Sequence, residues 1–108
     1  MFVSTSNHDN SEINDPNELK SLIQNLDYNE NDFIVLSKDD NHFIQAAGDS
    51  KYGYLVEYKG EDSKGIINHF ISKNEDINQI ELTRLFISFY KNENIHSDFC
   101  KWSIIESD

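Results

Sequence analysis

Asp27, Asn29 and Asn31 alternate in the order Asp-x-Asn-x-Asn, the spacing with which an EF-hand loop begins to wrap oxygen ligands around calcium. The match fails where the chemistry is strict. Asp32 stands where the sharp turn needs glycine, and Lys38 stands where a bidentate glutamate must close the shell. A positive charge there opposes the ion, so the segment reads as a solvated turn between a helix and a strand. His96 and Cys100 are four residues apart with Asp98 between them, which on a helix would put imidazole and thiol on one face. Zinc needs three or four ligands, yet Cys100 is the only cysteine and His8, His42 and His69 are scattered. As a nucleophile pair, His96 and Cys100 lack the positive surroundings that lower a thiol pKa. Cys100 is expected to be a structural, unreactive thiol.

Carboxylates are so frequent that their pairing carries little information. Asp39-Asp40, Glu61-Asp62 and Glu75-Asp76 fall in turns or before a helix, where solvation and capping explain them. Glu57 is different because it sits between Val56 and Tyr58, inside an apolar strand, and Gln45 raises the same question between Ile44 and Ala46. Strand alternation puts both on the wet face of a sheet; a partly buried recognition role is the other reading. Tyr52, Tyr54 and Tyr58 form either an aromatic binding patch or ordinary cross-strand packing. No glycine-rich phosphate loop, nucleophile elbow or HExxH sequence occurs. No catalytic residue, metal site or cofactor is assigned, and the chain is not read as an enzyme.

Charge says more about partners. Twenty acidic residues stand against nine basic ones, giving a net charge of −11 over 108 residues. Such a surface repels phosphate backbones and anionic membranes, so neither nucleic acid nor membrane is an expected partner. It favours encounter with a basic protein surface, most strongly at low salt. No run approaches the roughly 20 apolar residues of a membrane helix. The polar residues after Met1-Phe2-Val3 do not resemble a signal peptide, and a lone cysteine fits a reducing compartment. A cytoplasmic protein is expected.

The elements that must position these residues follow from periodicity. Residues 4–14 are polar and lack periodicity, so 1–14 read as a flexible N-terminal arm, leaving 15–108 as a single domain. Asp15, Pro16 and Glu18 make a helix start, and Leu19, Leu22, Ile23 and Leu26 place one apolar stripe on a helix over 16–26. Four short strand patterns follow: Phe33–Leu36, His42–Ala47, Tyr52–Lys59 and Gly65–Ser72. Their connections are too short for parallel crossovers and predict an antiparallel meander. Asp76 and Gln79 suggest a second capping box for a helix over 76–91, with Ile77, Ile80, Leu85, Phe86, Phe89 and Tyr90 on its apolar side. Phe99–Ile105, with Trp102, reads as a last strand. The expectation is an α+β fold in the order α-β-β-β-β-α-β, with two helices packed on one four- to five-stranded antiparallel sheet. The tetrapeptide Asn-His-Phe-Ile occurs at 41–44 and 68–71, but its flanks do not match and no duplicated unit is inferred.

The segments Asn31–Leu36, Phe43-Ile44-Gln45-Ala46-Ala47 and Gly53–Tyr58, with Leu85-Phe86 through Tyr90 and on to Trp102, resemble small acidic bacterial immunity proteins of polymorphic-toxin and contact-dependent-inhibition systems. The resemblance spans roughly residues 19–105 and rests on strand-level apolar patterns. It implies a cytoplasmic antidote that binds and neutralises a cognate toxin domain, often a basic nuclease or deaminase, and it transfers no site residue. A cytosolic adaptor or regulatory domain without a toxin is the alternative, and a small enzyme using Glu57 or His69 is a third reading. From charge, the expected partner-binding residues are Asp39, Asp40, Glu57, Glu61 and Asp62 with Tyr54 and Tyr58. The turns carrying Asp39-Asp40 and Glu61-Asp62 lie at one end of a meander, so their carboxylates can act together.

Overall fold

Apolar residues at period two on the strands and at three-to-four spacing on the helices sort this chain onto the two sides of one sheet. The computed structural model describes residues 1–26, 31–49, 51, 53–61, 64–72, 77–92 and 102–104. Among these are seven strands: β1 (Phe2–Thr5), β2 (His8–Glu12), β3 (Phe33–Asp39), β4 (His42–Asp49), β5 (Gly53–Glu61), β6 (Ile67–Ser72) and β7 (Trp102–Ile104). They lie in the order β2-β1-β3-β4-β5-β6-β7, with every neighbouring pair antiparallel. Helices α1 (Pro16–Gln24) and α2 (Gln79–Tyr90) complete an α+β fold.

The sheet is wider than the four to five strands expected, because residues 2–12 form a hairpin and not a flexible arm. Val3 and Thr5 are buried beside Leu36 and Ile34, and Ile13 is buried just past β2, its N–H donating to the Met1 carbonyl at 2.9 Å. Only every second residue of β1 enters the core, and β2 is polar because it is an edge. That is too little apolar signal for sequence periodicity to register.

Asp15, in extended conformation, caps α1 by accepting from the Asn17 N–H at 2.9 Å, with Pro16 at the first turn. Leu19 and Ile23 are fully buried, whereas Leu22, expected in the core, is only partly covered. Helix α2 begins later than expected. The Tyr54 N–H donates to the Ile77 carbonyl at 3.0 Å in an isolated bridge, which holds Ile77 extended. The helix can start only after it, and Asn78 is the cap, accepting from the Glu81 N–H at 2.8 Å. The cap foreseen at Asp76 lies outside the described residues. Leu82, Leu85, Phe86 and Phe89 face the core, but Ile80 points to water at 67 % exposure.

The register stacks the core into two rows across the sheet. One runs Val3, Leu36, Ile44, Tyr58, Phe70, and the other Thr5, Ile34, Ala46, Val56. Tyr58 stacks on Phe70 with centroids 5.5 Å apart and meets the edge of Phe89 at 6.3 Å, tying sheet to helix. Where the β5–β6 ladder ends, the buried Ser72 hydroxyl accepts from the Val56 N–H at 3.1 Å. The two Asn-His-Phe-Ile copies have opposite phases: Phe43 is outside and Ile44 in the core, while Phe70 is in the core and His69 outside. Opposite phases are what chance recurrence produces.

Phe86→Ala should cost about 3–5 kcal/mol in urea unfolding, because the ring is fully buried between helix and sheet. Ile80→Ala should stay within about 0.5 kcal/mol. Equal effects at the two positions would contradict the orientation of α2.

Candidate functional site

Helices cover one face of the sheet, and the alternate residues of β1 and β3–β6 form the other. Its rows follow from the same register: Phe33, Ala47, Leu55; then Val35, Gln45, Glu57, Ile71; then Phe2, Ser37, Phe43, Lys59, His69. Five large apolar residues of the described chain are exposed, and three of them, Phe2 (41 %), Phe33 (39 %) and Ile67 (41 %), are on this side. Single exposed apolar residues are ordinary, but Phe2 and Phe33 line two adjoining hollows with Val35 and Gln45 in common.

Gln45 and Glu57 stand opposite each other at the centre, and the Gln45 Nε2 amide donates to Glu57 Oε2. Both are half-buried. Phe33, Val35, Ala47 and Leu55 frame them in a hollow of about 360 Å³. A second hollow of about 430 Å³ shares Val35 and Gln45 and runs past Phe43 to Asp39 and Asp40. The apolar face and the acidic turn are thus one continuous surface.

At that end, His42 joins the two acidic turns. Its Nδ1 is 2.8 Å from Asp39 Oδ1 and its Nε2 is 3.6 Å from Glu61 Oε1. The Asn41 N–H also donates to Asp39 Oδ1 at 2.8 Å. The hydrogen bond with His42, then the one from Asn41, holds the Asp39 carboxyl below its ordinary value of 3.8. The Asp39 side chain is largely exposed, so the lowering comes from these local donors and not from a buried environment. Burial, followed by the charge of Glu61, pushes the Tyr58 phenol above its ordinary value of 10.0.

Of the residues expected to bind a partner, Asp39, Asp40, Glu57 and Glu61 lie on this surface and its acidic end. Asp62 lies outside the described residues. Tyr54 and Tyr58 belong elsewhere: both are buried on the helix side, because Tyr54, Val56 and Tyr58 share the inward phase of β5 while Leu55 and Glu57 share the outward one. Their place as accessible aromatics is taken by Phe33 and Phe43. His42 and Gln45 complete the site. Gln45 was visible as a polar residue in an apolar strand, but the reach of His42 to Glu61 depends on register and has no local signature.

Other sequence readings resolve in part. Asn31, the last oxygen of the EF-hand-like pattern, is buried and donates its Nδ2 to the Asn25 carbonyl at 3.1 Å. Asp27, Asn29, Tyr52, Glu75, His96, Asp98, Phe99 and Cys100 lie outside the described residues. Glu57 and His69 share a face, but no hydrogen bond joins them; Glu57 bonds to Gln45, and His69 packs edge-on against Phe43 with centroids 5.6 Å apart. Among the described residues, no group of three or more His, Cys, Asp or Glu side chains is arranged to hold a metal ion, and no helix is long and apolar enough to cross a membrane. No protein-family model, curated protein or solved structure matches the chain.

An NMR pH titration should find Asp39 below the ordinary aspartate range, and His42→Ala should move it back up. The sign follows from linkage. A carboxyl depressed in the folded state contributes stability above its unfolded pKa, and that contribution disappears as pH falls through the lower folded value. The loss in this protein therefore belongs below pH 3.8, not near neutrality. An Asp39 titration unchanged by removal of His42 would refute the link.

Proposed function

We propose that this chain is a protein-binding module without chemistry of its own, and that it works as an immunity protein, occluding a basic toxin domain in the bacterial cytoplasm. The observation that carries the binding role is the continuity of the surface. Apolar side chains around Val35 and Phe43 run without a break to Asp39 and Asp40, in a protein of net charge −11. Apolar area supplies the desolvated centre that a stable complex needs, and rim carboxylates supply steering and orientation. The toxin partner rests on the resemblance of the strand segments to immunity proteins. Nuclease and deaminase domains that handle nucleic acid carry basic surfaces, and this surface is complementary to them.

Co-expression is the direct test. The open reading frame beside this gene should be toxic alone and tolerated with this chain. A harmless neighbour, or toxicity unchanged by this chain, would overturn the toxin reading and leave the chain as a cytosolic adaptor or regulatory domain that uses the same surface for another partner.

With a toxin in hand, replacing Asp39, Asp40 and Glu61 together by lysine should slow association about tenfold or more at low salt while changing dissociation less. Added salt should slow the parent chain in the same way. Association indifferent to both would remove electrostatic steering from the mechanism.

A further inference from the structure

The acidic turns are exposed, but exposed charges contribute little affinity by themselves. The residues with the anatomy of an energetic centre lie in the middle of the face opposite the helices. Glu57 is half-buried, framed by Phe33, Val35, Ala47 and Leu55, and flanked in register by Gln45 and Ile71. Among the described residues its carboxylate has one hydrogen-bond partner, Gln45, and takes part in no ion pair. Lys59, two residues along the same strand face, is not within ion-pair distance either. An ionised carboxylate has about four acceptor positions, and the Gln45 amide uses one of them. The remainder open onto an apolar hollow, where a charge-assisted hydrogen bond is stronger than at an open turn.

We infer that the centre of this face is an arginine-reading site: a partner's guanidinium enters the hollow, forms a bidentate pair with Glu57 held in place by Gln45, and lays its stem and apolar neighbours on Phe33, Val35 and Leu55. This deepens the reading of the chain as a protein-binding module and names the group that module recognises. Arginine fits better than lysine because its planar fork matches both carboxylate oxygens and its weakly hydrated face tolerates the apolar wall. Gln45 is a positioning residue, since its amide fixes the carboxylate rotamer before the partner arrives and lowers the cost of ordering it. A second copy of the chain is the wrong occupant. Glu57 is central, so a two-fold axis through the face would bring two carboxylates together in a protein already at −11.

The probe is the blocked tripeptide acetyl-Leu-Arg-Leu-amide, titrated into the isotopically labelled full chain, with the citrulline tripeptide as its uncharged isostere. Amide shifts should appear at Val35, Gln45, Leu55, Glu57 and Ile71, and the citrulline peptide should bind about tenfold more weakly. Glu57→Gln keeps the shape and a hydrogen bond to Gln45, and should abolish that difference while leaving thermal unfolding unchanged. Gln45→Leu should weaken the arginine peptide and leave the citrulline peptide unaffected. Shifts confined to Asp39, Asn41 and Glu61 would overturn the central site yet leave a basic partner in place at the turns. Equal binding of the two peptides, no shifts at millimolar peptide, or self-association of the free chain through these same amides would each overturn the inference. The toxin reading is tested separately, by toxicity in co-expression, so failure of one is distinguishable from failure of the other.

Discussion

A seven-stranded antiparallel sheet has two faces, and among the described residues this chain supplies helices for only one of them. Most of the architecture follows from that constraint. The side under α1 and α2 collects Leu19, Ile23, Ile34, Leu36, Ile44, Val56 and Phe86, each almost wholly removed from water. Burial of this kind, at about 25 cal/mol per Å² of apolar surface, is the main force that offsets chain entropy. Among the described residues, no helix packs on the opposite side. A purely polar face would have needed no cover, since antiparallel sheets commonly expose one side. This one keeps Phe2, Phe33, Phe43, Leu55, Ile67 and Ile71 there, which solubility alone would disfavour.

Register is what keeps the two faces distinct. Side chains alternate strictly, so sliding β5 by one residue against β4 would send Glu57 beneath α2 and bring Tyr54, Val56 and Tyr58 out to water. Two glycines help to fix the alignment. Gly48 has φ +131°, a region that side chains rarely adopt, and a Cβ there would collide with the Gly53 carbonyl across the β4–β5 turn. Gly60 leaves space for the Tyr58 ring, which occupies the position a Cβ would take. The aromatic stack with Phe70 and the outward aim of Glu57 are therefore two expressions of one strand alignment.

Most of the fold was legible in the sequence because its signals were local. The caps at Asp15, the turn at Lys38–Asn41 and the alternation around Val56 each act over a few residues, and the α+β order with an antiparallel sheet followed from them. The hairpin at residues 2–12 was not legible, since its pairing depends on β3, some thirty residues on in the chain. The start of α2 was misplaced for a similar reason: a backbone bond between Tyr54 and Ile77 holds Ile77 extended, and the helix begins after it with Asn78 as its cap. At the site, the acidic turns and the oddity of Glu57 and Gln45 could be read directly. Which tyrosines were accessible could not, because alternation gives two phases and only helix placement says which is dry.

The N-terminal hairpin also decides how the molecule ends sideways. Without it β3 would present an unpaired row of backbone N–H and C=O groups beside Phe33 and Val35, an apolar margin of the sort on which further strands add and sheets grow from one molecule to the next. Strand β2, with the sequence His-Asp-Asn-Ser-Glu, replaces that margin by a polar one. At the far side, β7 spans three of the described residues, a short stretch for a template. The same chain that leaves an apolar face on one side of its sheet thus has a polar lateral border beside β1 and a short one at β7, both poor templates for strand addition.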